Sequence, residues 1–520
     1  MNNFFSSLKS RPISFWILLV GAFLSIAWSL YFARVIITTP YQIGFREGTP
    51  QVLTSMLLNG ENPYAFENQP LSYNAYGISY NLVVLPFAFL FGNTLHIHRW
   101  VTFLFILASA LFGGYVVFYK SRKYPLAAAC SAFFLIAFTG WGGIGSAPTT
   151  MGTFLFLTSI FIPYLRGFDK NSVTVSAVLA LIAFHTKAYF VLSFGIVITY
   201  LFLFVSKRKA IHYGIFFFFL FTITFASMRL MLPLYFTNII HGNVSNTYRT
   251  FKHLYTQLFW LTIYFSPILL LTIAMLVEKR KKRKSTSPSP QSNYQIEILN
   301  LDHPLIAQTY FDYHLYVFII STLIFIIVLG SHVGNYLAYS YELVVPSFLF
   351  WFLLNYDHNK TFGVSSSIVI IVNLFCWQYI TLNPEMVSQK NLSAWEKAFS
   401  YLNPSLNILN SPTLTSRMVE LGMRPTDGGQ TDASYLMKPY SDNFLLGPSY
   451  KEYDDDEAQY AQSINGSISK QMYDLIIITK DVEVFYNLEL IPQYYEMVDQ
   501  LILYMPATNQ KWVVEVWEPK

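Results

Sequence analysis

The chain has 520 residues, of which 53% are hydrophobic, 18% aromatic and only 12% charged. With a mean hydropathy of +0.39, this composition places it among polytopic membrane proteins and away from soluble globular domains. The net charge of +5 hides an asymmetry, because residues 383–520 carry 10 Lys and Arg against 19 Asp and Glu. The basic charge lies in membrane loops, so we expect no nucleic-acid partner.

Apolar segments long enough to span a bilayer follow one another from the N-terminus and predict about eleven crossings. The first segment is too long for a cleavable signal and should remain as an anchor. The candidate spans are Ile13–Tyr31, Trp100–Tyr119, Leu126–Trp141, Met151–Leu165, Val173–Phe184, Tyr189–Val205, Ile211–Phe236, Phe259–Val277, Leu315–Gly330, Leu343–Leu354 and Ser365–Ile380.

Clusters of Lys and Arg fall in alternate connections between these spans, and the positive-inside rule places all of them in the cytoplasm. This agreement requires that Leu82–Phe91 does not cross and lies at the interface. The N-terminus is then cytoplasmic, residues 37–99 form the first outer loop, and residues 278–314 form a cytoplasmic linker. We expect a multi-pass protein of the bacterial inner or plasma membrane, or of the ER membrane in a eukaryote.

The polar tail, residues 383–520, is too hydrophilic to cross and long enough for a small domain. Leu475–Ile478 is typical of a buried strand, and Trp512–Trp517 alternates like a final strand. Thr413–Leu421, followed by Gly422, predicts a helix with a glycine stop. The tail is therefore predicted to form an extracytoplasmic α/β domain.

Short polar motifs follow the first span in a fixed order, and a lone acid, Glu47, lies in the first of them. These are Phe45-Arg46-Glu47-Gly48, Leu57-Leu58-Asn59-Gly60-Glu61-Asn62-Pro63-Tyr64, Tyr76-Gly77-Ile78-Ser79-Tyr80, Leu90-Phe91-Gly92-Asn93 and Arg99. In order and spacing they resemble the start of the GT-C membrane glycosyltransferases, which include protein O-mannosyltransferases and the aminoarabinose transferase of lipid A. The stretches Phe184–Tyr189 and Gly330–Tyr339 extend the resemblance.

The resemblance implies an all-α polytopic fold with interfacial helices in the first outer loop. Residues 1–382 would be the catalytic membrane domain. The implied activity is transfer of a hexose or pentose, with inversion, from a polyprenyl-phosphate-linked donor to a glycan, lipid or protein acceptor on the extracytoplasmic face. The common Asp-Glu pair of the superfamily is Arg46-Glu47 here, which leaves one acid for catalysis.

The chemistry of such a transfer explains why a carboxylate is needed beside the membrane. A sugar on a lipid phosphate keeps its anomeric carbon near the outer headgroup plane, and the acceptor must lose a proton as it attacks. A carboxylate within hydrogen-bonding reach can take that proton. Glu47 precedes a predicted interfacial helix, whose dipole favours negative charge at its start. We therefore expect Glu47 to be the general base.

The departing phosphate needs cations or hydrogen-bond donors. Lys187, Arg229 and Arg99 lie at predicted outer ends of spans, where isolated charge is costly unless it faces a polar cavity. A later outer loop adds candidate sugar or phosphate contacts at His332, Asn335 and Tyr339. No His/Asp cluster has ligand spacing, so no metal residue is assigned, no cofactor is certain, and a loosely held divalent cation stays open.

Two other functions remain open from the sequence. A non-catalytic exporter, flippase or assembly factor for surface polysaccharide would place polar residues through the membrane centre. The ionisable groups here cluster at the outer ends instead, which favours chemistry at the interface. Only the resemblance argues against the other alternative, a glycan polymerase or ligase that uses a pyrophosphate-linked donor.

Overall fold

The computed structural model describes most of the chain, with gaps that fall mainly between residues 264 and 387. The described residues are 13–65, 68, 72–139, 143–145, 147–242, 250–263, 266, 273, 313–330, 346, 350, 368, 370–374, 376, 388–427, 431–432, 457–480, 486–505 and 510–520. They form a predominantly helical structure with a small sheet near the C-terminus.

Helices fill the N-terminal half and recur in the tail. In chain order they are α1 (Ile13–Thr38), α2 (Gly48–Leu58), α3 (Ser79–Phe91), α4 (Leu95–Ser121), α5 (Tyr124–Thr139), α6 (Ala147–Leu165), α7 (Lys170–Phe184), α8 (Leu192–Tyr200), α9 (Lys207–Met231), α10 (251–263), α11 (Tyr313–Ile324), α12 (Gln389–Ser400), α13 (Thr415–Glu420), α14 (Glu457–Ser469) and α15 (Ile491–Tyr494). A 3-10 turn, Ala188–Val191, and a π turn, Leu201–Val205, extend α8 at its two ends. Five of the described helical segments are long and apolar enough to cross a membrane.

The first six predicted spans coincide with helices, and side-chain caps explain several helix starts. The side chains of Thr94, Asp169 and Ser206 each accept a backbone N–H from the first turn of the helix that follows. Each bond satisfies a donor that has no partner within the helix. The prediction for the seventh span, Ile211–Phe236, is wrong at its C-terminal end, because the helix ends at Met231. Pro233 explains the stop, since the residue before a proline is driven out of the helical region.

Two short helices, α2 and α3, lie between the first two long ones. The 13 residues of α3 are about 20 Å long, which is shorter than the ~30 Å hydrocarbon core. This helix contains the segment predicted not to cross.

The core of the bundle is formed where α1, α4, α5 and α6 pack together. Close approach of α4 and α5 depends on Gly114, where a Cβ atom would lie 2.2 Å from Ser131 Oγ. Ser131 Oγ in turn donates to the carbonyl of Ala110 on α4, at 2.9 Å. Small residues at such contacts let two helix backbones approach, as is usual between membrane helices.

The tail contains a four-stranded sheet with the order β2-β4-β6-β5. Its strands are β2 (Ile408–Leu409), β4 (Leu475–Thr479), β5 (Tyr495–Met505) and β6 (Gln510–Pro519). Strands β2 and β4 are parallel, whereas β4–β6 and β5–β6 are antiparallel. The strands predicted at 475–478 and 512–517 and the helix predicted at 413–421 are present, and Gly422 follows that helix with φ +74°.

The tail packs directly on the segment that joins α1 to α4. The ring of Tyr41 stacks on Trp395 with a centroid distance of 4.6 Å, and Asn391 donates to the Tyr41 hydroxyl. Gln42 donates to the carbonyl of Pro412 and accepts the backbone N–H of Ser416. A second, two-stranded sheet joins β1 (Ser72–Tyr73) to β3 (Thr431–Asp432). These contacts hold the segment that leads to Glu47.

Candidate functional site

Glu47 ends a 3-10 turn, Phe45–Glu47, immediately before α2, and its side chain is 5% exposed. Its carboxylate forms a two-pronged ion pair with Arg99. Oε1 accepts Arg99 Nε at 2.6 Å, and Oε2 accepts Arg99 Nη2 at 2.9 Å. Oε2 also accepts the backbone N–H of Ile43 at 2.8 Å. The acid is therefore held rigidly by a partner 52 residues away.

Arg99 lies in the second turn of α4 and is 1% exposed. Besides Glu47, its guanidinium donates to three backbone carbonyls, those of Ile36, Thr39 and Tyr41, at 2.6–2.8 Å. The last carbonyls of a helix have no partner within it, so Arg99 caps the end of α1. All five N–H groups of this arginine are used within the described chain, which leaves none for a phosphate.

Glu47 keeps one acceptor position in this arrangement. A carboxylate has about four such positions, and its bonds within the described chain occupy one on Oε1 and two on Oε2. The loop before α6 lies against this carboxyl group, because a Cβ atom at Gly145 would be 3.3 Å from Glu47 Cδ. Oε1 therefore has an acceptor position that the described chain does not use, and it is the oxygen that could take up a proton.

Lys187 follows α7 and is 8% exposed. Its ammonium is 3.4 Å from Thr149 Oγ1, and it lies 5.0 Å and 5.3 Å from the ring centres of Tyr76 and Tyr189. Thr149 belongs to the first turn of α6, four residues after Gly145. The start of α6 therefore lies beside the acid through Gly145 and beside the cation through Thr149.

The motif Tyr76-Gly77-Ile78-Ser79 runs along the segment that contains Lys187. The N–H groups of Gly77 and Ser79 donate to the carbonyls of Thr186 and His185, both at 3.0 Å. A Cβ atom at Gly77 would lie 2.0 Å from the His185 carbonyl oxygen, so only glycine fits. Two of the stretches that carry the resemblance, Tyr76–Tyr80 and Phe184–Tyr189, thus pack against each other.

His185 is a buried residue that the sequence analysis did not assign to the site. Its Nδ1 atom is 2.9 Å from the Tyr235 hydroxyl, and burial lowers the pKa of His185 to about 4. Tyr235 packs edge-on against Tyr64, whose hydroxyl donates to the Tyr76 carbonyl. The sequence signal for His185 was its place in the stretch Phe184–Tyr189, two residues before Lys187. The contact with Tyr235, which lies 50 residues away, could not be read from the sequence.

The remaining predicted site residues are Arg229, His332, Asn335 and Tyr339. Arg229 lies in the last turn of α9, where its neighbours Met228 and Leu232 pack against the cluster that contains Tyr235 and Phe184. The predicted contacts His332, Asn335 and Tyr339 lie outside the described residues. Within the described chain, no group of three His, Cys, Asp or Glu side chains could hold a metal ion.

Similarity to known proteins was found at the level of three-dimensional structure. No protein-family profile matches the chain, and no curated protein sequence does. ArnT from Cupriavidus metallidurans bound to undecaprenyl phosphate superposes with a TM-score of 0.51 at 12% identity, covering 95% of this chain and 97% of ArnT. Its apo state gives a TM-score of 0.50 at 13% identity over the same shares.

A third similar structure is the archaeal oligosaccharyltransferase AglB from Archaeoglobus fulgidus in complex with an inhibitory peptide and a dolichol-phosphate. Its TM-score is 0.46 at 10% identity, covering 96% of this chain and 74% of AglB. The ArnT superposition extends over nearly the whole of both chains. The chain therefore shares the fold of ArnT, in agreement with the fold that the sequence motifs suggested.

Proposed function

We propose that this protein is an integral-membrane glycosyltransferase that moves a sugar from a polyprenyl-phosphate donor to an acceptor on the extracytoplasmic face. The observation that carries the proposal is the placement of Glu47 beside Gly145 and of Lys187 beside Thr149, at the start of α6, in a fold shared with a lipid-phosphate-bound ArnT. The positive end of the α6 dipole favours an anion at this place. A base and a phosphate site would thus be adjacent.

In the proposed reaction, an acceptor hydroxyl or amine attacks the anomeric carbon of the sugar. The bond from that carbon to the phosphate oxygen breaks, and polyprenyl phosphate leaves with the electron pair, so the configuration at the carbon inverts. Glu47 Oε1 takes the proton of the acceptor. Lys187 stabilises the charge that develops on the phosphate.

Arg99 has a different role in this proposal from the one expected from the sequence. Because its five donors are already used, we assign it to holding Glu47 in place rather than to the phosphate. Arg229 and the outer-loop residues His332, Asn335 and Tyr339 remain proposed contacts for the sugar or phosphate. A divalent cation at the phosphate also remains a proposal, and turnover in EDTA tests it.

The proposed topology has about eleven crossings, a cytoplasmic N-terminus and an extracytoplasmic α/β tail domain at residues 383–520. The protein would lie in the bacterial inner or plasma membrane, or in the ER membrane of a eukaryote. The packing of the tail on the first outer loop supports placing both on the same side. Donor lipid and acceptor would then meet outside the cytoplasm.

The deciding experiment is turnover by the Glu47→Gln variant. Purified protein is given a panel of undecaprenyl-phosphate hexoses and pentoses, and release of undecaprenyl phosphate is followed. We expect kcat to fall by ~10²–10⁴ with donor KM largely kept. Glu61→Gln, further along the same loop, is the matched control and should turn over normally.

Glu47→Gln also removes the partner of a buried arginine, so the folded fraction of each variant must be measured beside its turnover. Near-normal turnover by folded Glu47→Gln would refute the assignment of the base. Absence of turnover by the wild-type protein with every donor, together with export of an intact lipid-linked sugar, would favour the exporter alternative.

A further inference from the structure

His185 lies in a chain of hydrogen bonds that joins three separate parts of the fold. Tyr235, which follows α9, carries a buried hydroxyl group. That hydroxyl lies 2.9 Å from His185 Nδ1, in the connection after α7. The His185 carbonyl accepts the N–H of Ser79. Tyr235 therefore holds the imidazole ring at Nδ1, and Ser79 holds the backbone of the same residue.

This chain of hydrogen bonds determines which ring nitrogen carries the proton. Within the described chain, His185 Nδ1 is the one hydrogen-bond partner of the Tyr235 hydroxyl, so the hydroxyl proton has no other acceptor there and is donated to Nδ1. A nitrogen that accepts a hydrogen bond cannot carry a proton, so the proton of the neutral ring is on Nε2. Burial, which lowers the pKa of His185 to about 4, keeps the ring neutral at physiological pH.

The Nε2–H group has no hydrogen-bond partner among the described residues. It is buried and makes no hydrogen bond to any described residue, and the whole side chain is only 6% exposed. Buried donors are almost always paired in native proteins, so an unpaired and oriented one points to a ligand. Lys187, two residues further on, presents its ammonium in the same region against Tyr76 and Thr149.

We propose that His185 is a further ligand-contacting residue, whose neutral Nε2–H donates a hydrogen bond to a non-bridging oxygen of the lipid phosphate bound by Lys187. Tyr235 is the positioning residue that keeps the proton on Nε2. This inference rests on the proposed function and adds to it a phosphate contact of a different kind. Lys187 supplies charge, whereas His185 supplies a directed, uncharged donor that stays the same across physiological pH.

The test measures binding of undecaprenyl phosphate alone, without any sugar. The apparent Kd is obtained from the ligand-dependent thermal shift of the detergent-solubilised, full-length protein. His185→Phe keeps the ring volume and removes the donor, and we expect it to weaken binding about tenfold or more. His185→Gln offers an amide N–H in place of Nε2–H and should recover part of the loss. Phe225→Leu is the packing control, since it alters the same aromatic cluster, where Phe225 stacks on Phe236, without touching His185, and it should bind normally.

A second measurement uses the wild-type protein and does not depend on the folding of His185→Phe. The ratio of the wild-type Kd to the His185→Gln Kd should be constant between about pH 5.5 and 8, because a neutral donor does not titrate there. A ratio that falls below pH 6.5, so that the wild type gains affinity as His185 becomes charged, would contradict the neutral donor. Tyr235→Phe should weaken binding less than His185→Phe, because it frees the tautomer without removing the ring.

Two results separate the possible failures. If wild-type protein binds undecaprenyl phosphate and folded His185→Phe binds it equally well, the inference is wrong and the proposed function stands. The same holds if His185→Phe impairs turnover of the sugar-bearing donor alone, since the contact is then to the sugar. If the wild-type protein neither binds undecaprenyl phosphate nor turns over any donor, the proposed function fails and the inference fails with it.

Discussion

The buried pair of Glu47 and Arg99 offers the sharpest test of how the fold holds the acid. Replacing Arg99 by Gln leaves a buried carboxylate without its cation and leaves the carbonyls of Ile36, Thr39 and Tyr41 at the end of α1 short of donors. Breaking a buried ion pair by removing one partner costs about 3–5 kcal/mol. We expect Arg99→Gln to lose at least that much free energy of unfolding.

The reverse substitution should cost less, for a reason visible in the contacts. In Glu47→Gln, Arg99 keeps its three carbonyl acceptors, and the amide oxygen can still accept one N–H. We expect a loss near 3 kcal/mol, at the low end of the range for a broken buried pair. Because the two residues are in contact, the double variant Glu47→Gln/Arg99→Gln should lose less than the sum of the single losses.

The measurement is the free energy of unfolding in mixed detergent–SDS micelles for the four members of this cycle. Arg122→Gln is the control, since Arg122 is an exposed arginine at the other end of α4 and its loss should stay within about 0.5 kcal/mol. An Arg99→Gln protein that is within 1 kcal/mol of the wild type would refute the reasoning. Arg99→Lys should also be damaged, because three donors on a point charge cannot replace a five-donor fork.

Three further predictions concern Lys187, Gly77 and the membrane topology. Lys187→Ala should raise the KM for the lipid donor more than Lys187→Arg does, since charge near the phosphate is the main requirement; equal donor kinetics for folded Lys187→Ala and wild type would exclude it from the phosphate site. Gly77→Ala should lose turnover and stability, because its Cβ would meet a carbonyl oxygen at 2.0 Å, whereas Gly195→Ala, which meets nothing within 4 Å, serves as the tolerated comparison. Reporter tags placed after Lys284 and after Lys520 should give cytoplasmic and extracytoplasmic signals respectively, and two tags on one side would overturn the crossing number.

The sequence by itself determined the elements of the membrane part. Helices α1 and α4 through α9 lie where apolar runs predict them, because a segment in lipid must satisfy its backbone internally and bury apolar side chains. These requirements concern residues that are close in sequence, so the run of apolar residues is enough to predict the helix. The helix end before Pro233, which the apolar run did not indicate, is local as well, since it depends on the conformation forced on the preceding residue.

The sequence also identified the residues at the site without their relationships. Arg99 and Lys187 were both predicted as phosphate ligands, since both are cations at predicted outer ends of spans. The fold gives them different surroundings: Arg99 is saturated by Glu47 and three carbonyls, while Lys187 lies against aromatic rings and a threonine hydroxyl. Residue type and position along a span cannot show how many donors of a cation the protein itself uses.

Only the tertiary structure decided which distant groups meet. Glu47 pairs with a residue 52 positions away, His185 with Tyr235 50 positions away, and Gln42 with the tail 370 positions away. Periodicity reports which face of a helix is apolar, but these partners are brought together by the packing of whole helices and by the packing of the tail on the segment that joins α1 to α4. Whether a polar group is satisfied within the protein or left for a ligand depends on that packing, because a hydrogen bond requires atoms within about 3 Å of each other.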